Sequence, residues 1–337
     1  MKSDYFYDIA EKVSIHDYIE KLDGRVLFIY SPTSLEKIDI RHSKILFKNW
    51  HHISKNVEKI DEYIKTLNNI EEIITFGGGS TIDIGKYISS QLNIKYTCIP
   101  SMLSTNAYAT DKAALIKNEK KVTIVAKMPD KIIIDDEVLK LSKDENLYGL
   151  ADVLSIHTAL YDWKIANEDI KETIDKEIYE KAKHLLNEVL EFIQDNSLEH
   201  IVESNMKLFQ FIGEAGYITN LYGTGRPESG SEHIMAKEIE RRIDMPHGIS
   251  VSIGILSMVL LQNRNITRIL GAIQKMKILE SSSKFGLSAE IIEKSFLNLT
   301  PRIDRYTIVN RHTENMEHRK KVIESFLKIV DKQIITK

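Results

Sequence analysis

The sequence predicts an α/β domain built on a parallel sheet, followed by an all-α domain, and three observations carry that reading. Short apolar runs alternate with helical patterns up to about residue 145. One of those runs leads straight into a glycine-rich turn, and beyond residue 145 the strand signal disappears.

In chain order, Arg25–Tyr30 and Lys44–Phe47 read as strands, Val57–Leu67 as a helix, and Glu72–Phe76 as a strand that enters Gly77-Gly78-Gly79-Ser80-Thr81-Ile82-Asp83. Glycines placed between a buried strand and a helix let the backbone turn tightly and approach a ligand. The free N–H groups of the following helix then suit a pyrophosphate, although the run departs from the Gly-x-Gly-x-x-Gly fingerprint. An ordinary strand-to-helix turn uses the same glycines, and Asp83 could be no more than a partner of the helix dipole. Lys86, further along that helix, is expected at the surface. Tyr96–Ile99 supplies another strand, and its Cys98, the single cysteine, reads as a small buried thiol. The loop after Pro100 carries Ser101, Ser104, Asn106 and Thr110; such a loop suits ribose, phosphate or a nicotinamide amide as well as it suits solvent. A hairpin over about 113–126 and a strand at 132–136 complete a domain set at residues 1–145. Residues 146–337 then read as helices over 178–193, 201–217, 249–262, 266–279, 289–297 and 319–334.

Candidate chemistry concentrates at three helix starts. Asp152 stands in the first turn of an apolar helix expected from Ala151, where the macrodipole alone could account for a carboxylate. Ser229 and Glu232 have capping-box spacing, which puts His233 in the first turn of a second helix, and Pro246 suits the opening of a third that carries His247. One carboxylate and two imidazoles suit a divalent ion with positions left for a substrate oxygen. Spacing alone also permits three unrelated structural residues, because the histidines do not share a helical face. His157, Asp162, His184, His200, His312 and His318 read as structural or solvated.

At 337 residues, with 42% apolar residues and a net charge of −3, the chain is long enough for two cored domains. Slight acidity argues against nucleic acid as the main partner. Nothing reaches eighteen consecutive apolar residues, and Met1–Asp8 carries acids and no apolar run. Neither a membrane span nor a signal peptide is expected, so a cytoplasmic location is.

The segments Gly77–Asp83, Pro100–Thr105, Gly149–Asp152, Tyr161–Ala166, Arg226–His233, Pro246–Gly248 and Arg305–Ile308 together resemble the iron-dependent alcohol dehydrogenase and dehydroquinate synthase superfamily, and within it the sn-glycerol-1-phosphate dehydrogenases. The resemblance runs in order over most of the chain. It implies a dehydroquinate synthase-like fold, with an N-terminal nucleotide-binding domain, a C-terminal helical domain that binds metal and substrate, and the metal in the cleft. By position it implies Asp152, His233 and His247 as metal ligands, Gly78, Gly79, Ser80 and Asp83 as the dinucleotide-binding turn, Ser101 and Ser104 on the nicotinamide side, Thr110 against the cofactor, and Lys237 against substrate. Arg226 and Lys112 are weaker candidates for a substrate phosphate. The implied activity is reduction of a small phosphorylated ketone, dihydroxyacetone phosphate above all, to sn-glycerol 1-phosphate. Its implied cofactors are NAD or NADP and one divalent metal, zinc first with iron or nickel as alternatives. A homo-oligomer is the family expectation.

One departure bears on the reaction. The dehydrogenases carry an aspartate after the Ser-Thr of the Pro100 loop, and this chain has Asn106, which can hydrogen-bond a substrate hydroxyl but cannot act as a base. The second strand, ending near Lys48-Asn49, lacks an acid for an adenosine ribose, which leaves NAD and NADP both open. Two alternatives follow. A cyclase or lyase of the dehydroquinate synthase type would use its NAD internally, although the Asp-Ser-x-x-Gly-Gly-Lys run of that branch is missing. A non-catalytic nucleotide or metabolite sensor would account for Asn106 as lost chemistry.

Overall fold

The structure, a computed structural model, describes residues 8–36, 38, 40 and 45–334, without the side chains of 331–334. Residues 1–7, on which the expectation of no signal peptide rests, lie outside the described residues, as does Lys44. Two units form. The first comprises the chain through Asn146 together with Asn205–Tyr217, and the second comprises Leu147–Ser204 and the chain from Ile218.

The first unit holds a six-stranded sheet of β1 (Ala10–Lys12), β2 (Val26–Tyr30), β3 (Ile45–Asn49), β4 (Glu72–Gly77), β5 (Lys95–Pro100) and β8 (Lys131–Ile134), in the order β1-β8-β5-β4-β2-β3. Every pairing in it is parallel. β6 (Lys112–Lys117) and β7 (Lys120–Val125) form the expected antiparallel hairpin. The apolar runs are nearly continuous because both faces of the sheet are covered. Val26, Phe28, Ile74, Phe76 and Ile99 pack on one face with Ile15 and Ile19. On the other face α1 (Gly79–Leu92) packs against β4, near enough that a β-carbon on Gly85 would fall 2.1 Å from Thr75 Cγ2.

Sheet order corrects one expectation. β3 is an edge strand, separated from the glycine-turn strand β4 by β2, so the end of β3 at Lys48-Asn49 is not the strand end beside that turn. The chain leaves β2 toward β3 in one direction and leaves β4 toward β5 in the other, which puts the topological switch at the carboxyl ends of β2 and β4. Ser31 N donates to Phe76 O, and Ser101 N donates to Gly77 O, closing both neighbours onto β4. Neither neighbour ends in a carboxylate: β2 runs into Ser31-Pro32-Thr33-Ser34 and β5 into Ser101-Met102-Leu103-Ser104.

The described residues of the second unit are helical, as expected. Its long elements include α2 (Tyr148–Ile170), α3 (Lys176–Asp195), the end of α4 (Asn205–Tyr222), α5 (Ser231–Glu240), α6 (His247–Leu261) and a last helix, Met316–Ile334. Trp163 of α2 is fully buried, donates to Thr173 O and meets Tyr222 edge-on at 4.8 Å. The helix expected over 201–217 is instead two, Leu198–Glu203 and α4, broken at Ser204. The beginning of α4 belongs with the first unit, where Phe209 stacks on Tyr108 and accepts its hydroxyl hydrogen bond, and Asn205 accepts from Asn146. No described helix is long and apolar enough to cross a membrane.

Candidate metal centre and dinucleotide site

α2 begins at Tyr148, three residues before the expected start, so Asp152 is its fifth residue and lies outside the first turn. The helix-dipole explanation of a buried acid is therefore much weaker for Asp152 than the sequence suggests. Its Oδ1 is buried with no hydrogen-bond partner among the described residues. His233 is the third residue of α5 and His247 the first of α6, both in first turns as expected, with Pro246 as the cap of α6. The cap of α5 is Gly230 rather than Ser229, so Glu232 stands at the second helical position and accepts from Gly230 N in place of the expected capping box with Ser229.

The three side chains meet. One ligand atom from each of Asp152, His233 and His247 lies within 4.8 Å of the others, and both imidazole Nε2 atoms face Asp152 Oδ1, at 3.7 Å and 3.6 Å. Two close approaches make this possible. A β-carbon on Gly248 would fall 2.4 Å from Tyr148 O, and one on Gly254 would fall 2.3 Å from Glu232 O, so α6 lies against both α2 and α5 at backbone contact. Burial pulls the His233 imidazole down, but the carboxylates of Asp152 and Glu232 outweigh it and raise it to about 9. The residues fit a divalent ion: a buried carboxylate oxygen left without a donor and two imidazoles aimed at it form an open three-ligand set that leaves positions for other ligands.

The segments around this centre lock together. Arg305 donates to Gly225 O and Ser229 O on the loop before α5. Asp162 is fully buried and accepts from Ser231 N at 2.6 Å, Ile308 N at 2.9 Å and Gln262 Nε2 at 3.2 Å; burial and the nearby Glu232 raise it to about 6. Arg226, a weaker candidate for a substrate phosphate, is buried, paired with Glu172 at 2.8 Å and bonded to Tyr306 O and Asp162 O, so its guanidinium braces this loop. The Tyr161–Ala166, Arg226–His233 and Arg305–Ile308 segments thus form one brace that delivers His233. Lys237 stands one turn beyond His233 on α5, exposed, with protein around its amine and the guanidinium groups of Arg302 and Arg305 pulling it below the usual lysine value.

In the first unit, Gly78 caps α1 without a side-chain bond to the helix N–H groups, and Gly79 and Ser80 form its first residues. Lys55, which the sequence does not single out, donates to Ser80 Oγ at 3.2 Å and brings an ammonium to that helix start. Ser101 is buried with its hydroxyl 2.7 Å from that of Ser34; Ser104 and Asn106 are half-buried, Asn106 at the head of a short 3-10 turn. Lys86 does not face solvent. Fully buried, it lies 3.3 Å from Asp83 and donates to Ala107 O, Thr110 O, Thr110 Oγ1 and Lys112 O. Asp83 and Thr110 are both engaged by this ammonium, which ties α1 to the loop carrying Asn106. Lys112 pairs with Asp111 at 2.7 Å.

The profile of the family described as iron-containing alcohol dehydrogenase matches residues 32–142. The glycerol-1-phosphate dehydrogenase [NAD(P)+] of Methanococcus aeolicus is 28% identical over 327 residues, covering 92% of this chain and 94% of its own. That of Pyrococcus abyssi is 30% identical over 267 residues, covering 77% of this chain and 75% of its own. Among solved structures, a probable glycerol dehydrogenase from Sinorhizobium meliloti superposes with a TM-score of 0.67 at 15% identity, over 96% of this chain and 97% of that one.

Proposed function

The chain belongs to the glycerol-1-phosphate dehydrogenase family of the iron-containing alcohol dehydrogenases, and from that membership we propose a metal-dependent, NAD(P)-linked oxidoreductase that interconverts dihydroxyacetone phosphate and sn-glycerol 1-phosphate. The meeting of Asp152 Oδ1 with the two Nε2 atoms of His233 and His247 carries this reading. In this proposal those three side chains hold the ion, zinc first with iron or nickel as alternatives. When bound, the ion would polarise the carbonyl as a Lewis acid and the dinucleotide would supply or accept the hydride.

The other roles fall to the chain's own groups. The N–H groups of Gly79 and Ser80 at the uncapped start of α1, with the Lys55 ammonium, bind pyrophosphate, and Gly78 keeps the approach open. Ser101 and Ser104 take the nicotinamide side, and Lys86 fixes the Thr110 segment. Lys237 offers a cation to the substrate phosphate. Asn106 hydrogen-bonds a substrate hydroxyl and neither takes nor gives a proton, so the proton that accompanies the hydride is not exchanged with residue 106. The lack of a carboxylate at either strand end beside β4 supports use of both NAD and NADP, since neither Ser31–Ser34 nor Ser101–Ser104 carries a negative charge to oppose a 2′-phosphate.

The test is loss of reduced nicotinamide absorbance when protein loaded with zinc, nickel or iron receives dihydroxyacetone phosphate and NADH or NADPH. Metal-dependent turnover, lost on chelation, is expected. No net oxidation with any metal and either cofactor would overturn the assignment.

A further inference from the structure

Each imidazole of the metal centre meets a carboxylate on the side away from Asp152. Nδ1 of His233 lies 2.7 Å from Glu232 Oε1, and Nδ1 of His247 lies 2.6 Å from Glu240 Oε1. An ionised carboxylate only accepts, so Nδ1 is the donor in each pair, and in the neutral ring that a metal ligand requires this leaves the lone pair on Nε2. Those are the atoms that face Asp152 Oδ1.

The two carboxylates are held in different ways. Glu232 is fully buried; its Oε2 accepts from Thr158 Oγ1 at 2.6 Å, and its Oε1 also accepts from Gly230 N. These donors fix its direction without neutralising its charge, on which the His233 ring and the Arg305 guanidinium also act. Glu240 is the last residue of α5 and reaches the first residue of α6, so it joins the helices that carry the two histidines.

We propose that Glu232 and Glu240 are positioning residues of the metal centre: they select the Nδ1–H tautomer, aim both rings at Asp152, and add two negative charges that retain a divalent cation. This rests on the metal-centre reading above. Carboxylates behind metal-bound imidazoles raise ligand basicity as well as fixing orientation, and their loss weakens metal binding about 10- to 100-fold.

The experiment measures metal affinity of the full chain by chelator competition, with cobalt(II) as a visible probe of ligand geometry. Glu240→Gln keeps an acceptor oxygen for Nδ1 and drops the charge, whereas Glu240→Leu drops both. The expected rise in dissociation constant is about 10-fold for Gln and about 100-fold for Leu, with an altered cobalt spectrum in the Leu variant. Glu232→Gln is expected to behave as Glu240→Gln does; should it fail to fold, the Glu240 pair decides. Wild-type affinity and an unchanged cobalt spectrum in Glu240→Leu, while Asp152→Ala releases the metal, would overturn the positioning role alone. Wild-type affinity in Asp152→Ala as well would overturn the metal centre itself.

Discussion

Gly248 and Tyr148 touch through their backbones: a β-carbon on Gly248 would fall 2.4 Å from the Tyr148 carbonyl oxygen and 2.7 Å from its Cα. The neighbour is main chain at the start of α2, so it cannot swing aside as a side-chain tip could. This contact sets the distance between His247, the adjacent residue, and Asp152, one turn along α2. Gly248→Ala is therefore expected to push α6 off α2, cost about 1–3 kcal/mol of stability through overpacking, and lower metal content. A melting curve and metal analysis on the same sample check it; an unchanged metal complement would show that this approach does not set the ligand distance.

Lys86 and Asp83 predict a different kind of failure. With the pair 3.3 Å apart and almost wholly buried, Lys86→Met leaves a carboxylate without its cation and strips a donor from Ala107 O and Thr110 O. Breaking one side of such a pair costs about 3–5 kcal/mol. Denaturant unfolding should show a loss of that size, with a raised KM for dinucleotide if the Asn106–Thr110 loop shifts. A loss below about 1 kcal/mol would mean that the ammonium behaves as a surface charge.

Acid should destabilise the second unit through His157. Burial, with the charges of Arg264 and Arg268 added, depresses its imidazole from 6.5 to about 4, and its Nε2 is buried with no partner among the described residues. A depressed folded value means that the stability contribution is complete above pH 6.5 and is lost as pH falls toward 4, where only the unfolded chain has gained the proton over most of the interval. The loss is on the order of 3 kcal/mol. His157→Gln should remove it, so the difference between wild type and variant should narrow or reverse on acidification. Parallel acid profiles for the two proteins would contradict the assignment.

Much of the site is legible in the sequence because its residues sit at local signals. Pro246 marks the helix start that presents His247, Glu232 marks the one that presents His233, and the glycine run after Glu72–Phe76 marks the turn before α1. What stays hidden depends on distant contacts. Lys86 reads as an ordinary helix lysine because its four oxygen partners come from residues 107–112. Glu232 reads as a capping residue because its contact with His233 Nδ1 depends on side-chain direction, and Glu240 lies seven residues before His247, a spacing with no helical meaning across the α5–α6 turn. β1 is three residues long, too short for a period to show. The identity of the strands beside β4 follows from a non-sequential sheet order that no local pattern encodes.

X-ray absorption at the metal edge of the zinc-loaded protein tests the central claim most directly. Two imidazole nitrogens and a carboxylate oxygen at about 2.0–2.2 Å are the predicted nearest neighbours, with the outer-ring scattering that imidazole produces. A coordination sphere of oxygen alone, without imidazole scattering, would contradict the convergence of Asp152, His233 and His247 on one ion.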